Sequence, residues 1–172
     1  MALLPIITAP DPRLKVVSEP VDAVTDDIRQ LMDDMLETMY DAPGVGLAAP
    51  QVGVTKRVIV IDTASSDEDP APMRLANPEV VWESEETKVY DEGCLSLPEY
   101  YSDVERPDRV RVRYLDYDGA SQEIEVDGLT AVCIQHEIDH LDGILFVDHI
   151  SRVKREVILR KLTKARKLAA SG

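Results

Sequence analysis

Apolar positions recur along this chain at two periods, and the changes between them mark its elements. Ile28, Leu31, Met32, Met35, Leu36 and Met39 fall three and four residues apart behind Thr25, Asp26 and Asp27. That spacing predicts an amphipathic helix capped by one of those three polar residues, its stripe packed on the core. Four prolines (Pro5, Pro10, Pro12 and Pro20) keep the preceding segment, up to about Asp22, out of any long helix. Residues 57–62 form a β-branched run that reads as a buried strand, and residues 63–72 read as a solvated loop. Further strands are expected around residues 75–77, 80–83 and 87–90. Residues 109–114 and 122–127 alternate strictly on either side of Asp118 and Gly119, a hairpin pattern. Paired, they set three arginines on the face that carries Glu123, Glu125 and Asp127, a ladder of opposite charges rather than an anion site. Residues 144–147 read as a short apolar strand. Ser151 then caps a last helix reaching about residue 170, with Val153, Val157, Ile158, Leu162 and Ala165 as apolar positions and a basic opposite face.

One predicted helix carries chemistry. Around residues 129–141 nearly every position is apolar except Gln135, His136, Glu137, Asp139 and His140. His136 and His140, four apart, share one helix face about 6 Å apart along the axis. Two imidazoles so placed can bind one metal ion, with Glu137 beside the first to handle a water proton. The alternative, two histidines hydrogen-bonded in a metal-free core, must offset the desolvation of two rings and two acids. The pair needs a third ligand. His149 lies nine residues past His140 in another segment and reads as structural. Cys94, after Gly93 and among apolar residues, completes a thiolate-plus-imidazole set suited to a divalent transition metal, with the fourth position open to water. Cys133 reads as core or pocket wall. Residues 44–53 hold three glycines and a run of small residues, but no lysine at a phosphate-loop position. Within them Gln51 is the polar residue able to donate to a substrate oxygen.

Composition narrows the classes. At 172 residues and 44% hydrophobic, the chain supports one domain with its own core. No run is long enough for a membrane span. No basic stretch followed by an apolar run opens the sequence, so a cytosolic protein with reduced Cys94 and Cys133 is expected. The formal charge of -14 disfavours nonspecific nucleic-acid binding by the body of the protein. The last 22 residues differ, with eight basic side chains against Glu156 alone. The terminal helix is therefore either a docked, solvated helix or a surface for RNA or the ribosome.

Three segments together resemble the motifs of the peptide deformylase family, in order and at suitable separations. They are Gly44-Val45-Gly46-Leu47-Ala48-Ala49-Pro50-Gln51, Glu92-Gly93-Cys94-Leu95-Ser96 and Gln135-His136-Glu137-Ile138-Asp139-His140. The resemblance covers nearly the whole chain. It implies an α+β fold, with antiparallel sheets around a central metal-binding helix and a C-terminal helix, as one catalytic domain over residues 1–172. It further implies removal of the formyl group from the N-terminal formyl-methionine of newly synthesised polypeptides, with release of formate. In that reading Cys94, His136 and His140 hold the metal and Glu137 is the general base. Gln51 and the Leu95 backbone N–H meet the developing oxyanion. Val45, Gly46 and Gly93 offer backbone to an extended peptide, while Val132 and Cys133 line the methionine pocket. Glu92 and Arg106 form a buried pair behind Cys94. The implied ion is Fe²⁺, with Ni²⁺ or Co²⁺ able to stand in and Zn²⁺ giving a less active enzyme. No feature marks a dimer interface, so a monomer is expected. Two rivals are a zinc endopeptidase, which usually recruits a Glu or His third ligand rather than Cys94, and a silent metal-stabilised module, which requires neither Glu137 nor Gln51.

Overall fold

A computed structural model of the chain describes residues 2–65 and 67–171; Met1, Ser66 and Gly172, which fall within the expected domain and loop, lie outside the described residues. The elements in order are α1 (Asp26–Asp41), β1 (Gly46–Ala48), β2 (Val58–Ile61), β3 (Met73–Glu83), β4 (Thr87–Cys94) and β5 (Leu97–Pro107). They continue with β6 (Arg109–Leu115), β7 (Ser121–Asp127), α2 (Gly128–Leu141) and α3 (Arg152–Ser171). Five strands form one sheet in the order β1-β2-β3-β6-β7, and β4 and β5 form a separate hairpin. Every strand pair is antiparallel. Helices and antiparallel sheets together make the α+β class expected from the sequence.

The unbroken apolar run of β2 has a simple cause. Val58 and Val60 pack with Met32, Met35 and Met39 of α1, while Ile59 and Ile61 pack with Ile134, Ile138 and Leu141 of α2. Successive side chains of a strand point to opposite faces, so a strand between two helices must be apolar at every position. α1 starts at the Thr25 cap, whose hydroxyl accepts the Ile28 N–H, and buries its methionine stripe. α2 has ten of its fourteen residues buried, which leaves its polar groups to be satisfied inside the protein. It stops two residues before Gly143, whose φ of 75° and approach to the Lys15 carbonyl exclude a side chain there. The β4–β5 hairpin closes a third cluster, in which Leu97 and Val104 meet Leu14, Phe146 and Leu162.

Four local expectations change. The strands expected at residues 75–77 and 80–83 are one strand, β3, carried through Asn77 at φ 50° with register shifts on either side of Glu79 and Val80. β5 had no expectation, because its sequence mixes polar and aromatic residues without clean alternation. The apolar run at residues 144–147 leads into a 3-10 helix, Phe146–His149, in place of a strand. The Asp148 carboxylate accepts the Leu145 N–H, and Leu145, Phe146 and Val147 are all buried, which a one-faced strand does not achieve. In α3, Val153 and Val157 are exposed while Leu162 is buried, so the apolar face is narrower than its spacing suggested. The β6–β7 connection is also longer than Asp118-Gly119 alone, since Leu115 pairs with Ser121.

Candidate metal centre and active-site cleft

α2 brings His136 and His140 to one face, with ring centroids 5.0 Å apart. Cys94, the last residue of β4, meets them from the hairpin, its Sγ 3.3 Å from His140 Nε2. One donor atom from each of these three residues lies within 4.8 Å of the others. Bonds of about 2.0–2.3 Å put tetrahedral donors roughly 3.3–3.7 Å apart, so small side-chain adjustments close the set on one ion. The donor chemistry fits: a thiolate and two imidazoles suit a divalent transition metal. His136 is held by its other nitrogen, Nδ1, which lies 3.0 Å from Glu92 Oε1. A ligating imidazole is ordinarily oriented in this way.

Glu92 is in turn fixed by Arg106, whose Nε and Nη2 donate to its two oxygens at 2.6 and 2.9 Å. Arg106 Nη1 also donates to Asp139 Oδ2 at 2.8 Å, and His149 Nε2 approaches the same oxygen at 2.8 Å. Arg106 and Glu92 are both 5% exposed. Burial pushes the Glu92 carboxyl up, but hydrogen bonds from His136 and Arg106 outweigh it and hold the group below the ordinary range. The expected Glu92–Arg106 pair is thus present and larger than expected, since Asp139 and His149 extend it. Asp139 was readable as a second acid beside Glu137 in a largely apolar helix, but its partner 33 residues away was not.

Glu137 is 4% exposed, and its Oε1 has no hydrogen-bond partner among the described residues. That atom lies 3.9 Å from His140 Nε2. Burial pushes the carboxyl up to about 7, against the lowering effect of His136 and Arg106. A buried carboxylate oxygen with no partner, beside three metal-donor atoms, is placed to exchange a proton near neutral pH. The other oxygen touches β1: a Cβ on Gly46 would sit 2.5 Å from Glu137 Oε2, so only glycine admits this approach.

A cleft of about 700 Å³ opens over these groups. Val45, Gly46, Gln51, Gly93, Cys94, Leu95, Val132, Cys133, His136 and Glu137 all line it, so the residues given a catalytic, metal or substrate role in the sequence, His140 excepted, meet in one place. His140 is buried behind them. The backbone roles divide. The Val45 carbonyl accepts the Asp62 N–H at 2.8 Å, which turns it toward β2. Alternation then leaves the N–H and C=O of Gly46 on the open edge of the sheet. The Leu95 N–H, in the turn between β4 and β5, has no partner among the described residues. Gln51 is not idle: Oε1 accepts the Ala48 N–H at 2.9 Å, and Nε2 donates to Ser96 Oγ at 3.1 Å and approaches Cys94 Sγ at 3.4 Å. Burial pushes the Cys133 thiol up to about 12, so it is an apolar wall at neutral pH. Neither cysteine is in a disulfide. Ser96 stood in the sequence only as a member of its motif, without a role, and Tyr101, which also lines the cleft, carried no signal.

The model of the family described as "Polypeptide deformylase" matches residues 3–156. The peptide deformylase of Methylocella silvestris is 60% identical, over 99% of this chain and 88% of the relative. That of Phenylobacterium zucineum is 57% identical, over 98% of this chain and 100% of the relative. Among solved structures, the peptide deformylase of Ehrlichia chaffeensis superposes with a TM-score of 0.93 at 41% identity, covering 98% of this chain and 99% of that one. A second structure of that enzyme, in complex with actinonin, gives 0.92 at 44% identity over 96% and 98%.

Proposed function

As the chain belongs to the polypeptide deformylase family, metal-dependent hydrolases that remove the formyl group from new polypeptides, we propose how its own residues share that reaction. Cys94, His136 and His140 would hold one divalent ion, whose chemistry there would be to lower the pKa of a water and polarise the formyl oxygen. Glu137 accepts the proton of the attacking water on its free Oε1 and passes it to the departing amine. The Leu95 N–H and the Gln51 carboxamide face the oxygen as it gains charge. The peptide backbone pairs with the open edge at Gly46 and with Gly93 across the cleft, while Val132 and Cys133 wall the pocket for the methionine side chain. Formate and a free N-terminal methionine leave.

The observation that carries this reading is the unpartnered, buried Glu137 oxygen beside the three metal donors. A structural metal site has no use for such a group. The test is formate release from a formyl-Met tripeptide by protein loaded anaerobically with Fe²⁺ or Ni²⁺, with Glu137→Ala in parallel. Release that falls by at least ~100-fold in the variant supports the assignment. Equal rates remove Glu137 from the mechanism, and tight metal binding with peptide-bond cleavage in place of formate release favours the endopeptidase.

The same reading extends to the metal, the place and the surroundings. The ion is Fe²⁺; activity should then decay faster in air than under nitrogen, and equal decay counts against iron. The enzyme works in the cytoplasm as a monomer. The basic face of α3, where Arg160, Lys164 and Lys167 line an open groove, contacts the ribosome. Salt-sensitive co-sedimentation with ribosomes that charge reversal at these three positions leaves unchanged would sink that contact.

A further inference from the structure

The turn joining β4 to β5 consists of Leu95 and Ser96, and Ser96 is fully buried beside Gln51. Its Oγ accepts from Gln51 Nε2 at 3.1 Å, and its backbone N–H donates to Cys94 Sγ at 3.4 Å. Gln51, itself 1% exposed, has its carbonyl oxygen engaged by the Ala48 N–H. A carboxamide carries two N–H hydrogens in a fixed plane. With the oxygen held by Ala48 and one hydrogen held by Ser96, the amide cannot rotate about its last bond. Its remaining hydrogen must then aim toward the Cys94 side of the cleft, where Nε2 is 3.4 Å from the sulfur.

The backbones are locked to the same spacing. The Ile7 N–H donates to the Gln51 carbonyl and the Ala9 N–H to the Ser96 carbonyl, both at 2.8 Å. One short segment, residues 7–9, thus holds both residues, which lie 45 apart in sequence. Alanine at position 96 would fill nearly the same volume, so packing alone does not call for the hydroxyl.

We propose that Ser96 is a positioning residue: its hydroxyl orients the Gln51 carboxamide, whose second N–H serves the sulfur at rest and the substrate oxygen in turnover. This rests on Gln51 acting as an oxygen donor in the deformylase reading. The role is selective for kcat, because the contact to be oriented strengthens as charge develops on the oxygen.

The test is a double-mutant cycle on the Ni²⁺-loaded full chain, following formate release from formyl-Met-Ala-Ser. Ser96→Ala should lower kcat about tenfold, the equivalent of one ordinary hydrogen bond, with KM within about twofold. Gln51→Ala should lower it about 100-fold or more. The double variant should be no slower than Gln51→Ala, because the hydroxyl then has nothing to orient. Losses that multiply, or a Ser96→Ala enzyme as fast as the unsubstituted one, overturn the proposal. Ser96→Gly removes the hydroxyl by another route and must fall with Ser96→Ala if that variant folds poorly. A second readout is the sulfur-to-metal charge-transfer band of Co²⁺-loaded protein. It should shift in both single variants, with the double matching Gln51→Ala; an unshifted band in Ser96→Ala also overturns the proposal. If the unsubstituted protein releases no formate, the deformylase reading fails, and the band alone decides whether Ser96 orients Gln51.

Discussion

Arginine meets carboxylate in two very different parts of this molecule. On the outer face of the sheet, Arg111 faces Glu125 and Arg113 faces Glu123 across β6 and β7, each at 3.3 Å, with side chains 44–59% exposed. Behind the metal donors, Arg106 grips Glu92 with two hydrogen bonds and Asp139 with a third, and both Arg106 and Glu92 are 5% exposed. The pairing chemistry is the same in both places. Water decides the difference. Exposed pairs exchange one hydrated geometry for another, whereas the buried set has given up its hydration and relies wholly on its partners. The buried set ends on His136 Nδ1, so its rigidity reaches one of the three residues proposed to hold the metal, while the ladder ends in solvent.

Removing the partner on the buried side should therefore have the largest effect. Arg106→Ala leaves the buried Glu92 carboxylate without its cation, and should cost about 3–5 kcal/mol of stability by urea denaturation. Since Glu92 then loses its fixed geometry, metal affinity measured by chelator competition should fall about 10–100-fold. Arg106→Lys keeps the charge but loses the two-point grip, and should lie between. An alanine variant within about 1 kcal/mol of the parent would show that burial does not separate the two sets.

Asp148 lies between the extremes and sharpens the comparison. It accepts from Lys15 Nζ at 2.6 Å, Arg155 Nε at 2.7 Å and the Leu145 N–H at 2.9 Å, with a 23% exposed side chain. Burial pushes its carboxyl up, and these hydrogen bonds outweigh that and hold it below the ordinary range. A carboxyl held low in the folded state stabilises above its unfolded pKa, about 3.9, and that contribution is lost as pH falls through the lower folded value. Asp148→Asn should therefore be less stable than the parent by about 1 kcal/mol above about pH 5, reduced by the solvent that reaches Lys15 and Arg155. The gap should narrow as the pH falls from the ordinary carboxylate range through the lower folded value. A gap that stays constant with pH would assign the loss to packing.

The sequence made the two sets unequally visible, for a physical reason. Strict alternation in β6 and β7 displayed the ladder at once, because strand period and solvent exposure write it into consecutive residues. The donors Cys94, His136 and His140 were readable because helix spacing fixes two of them and chemistry asks for a third. The chain that holds them was only half readable. Asp139 and His149 join Arg106 through the meeting of α2, β5 and a 3-10 helix, and β5 itself lacked the alternation that announces a strand. The same limit hid the Gln51–Ser96 contact: both residues were noticed within their motifs, but a hydrogen bond between segments 45 residues apart has no local signature. The 3-10 helix at Phe146–His149 was misread as a strand because an apolar run states burial and not backbone shape.

The ladder should yield the smallest effects, and they are informative for being small. The ion pair lost in Arg113→Ala or Arg111→Ala should be worth less than about 1 kcal/mol, and that part should shrink further in about 1 M salt, where screening is complete within a few ångströms. Arg111 carries one extra contact, its guanidinium 5.6 Å from the Trp82 ring centroid. At an exposed site this adds about 0.5–1 kcal/mol and does not vanish in salt as an ion pair does. Arg111→Ala should thus lose slightly more than Arg113→Ala, and should keep that excess at high salt. Equal losses that both disappear in salt would remove Trp82 from the account. Losses above about 2 kcal/mol at either position would mean that the ladder is less hydrated than its exposure indicates, and the contrast with Arg106 would no longer be one of water.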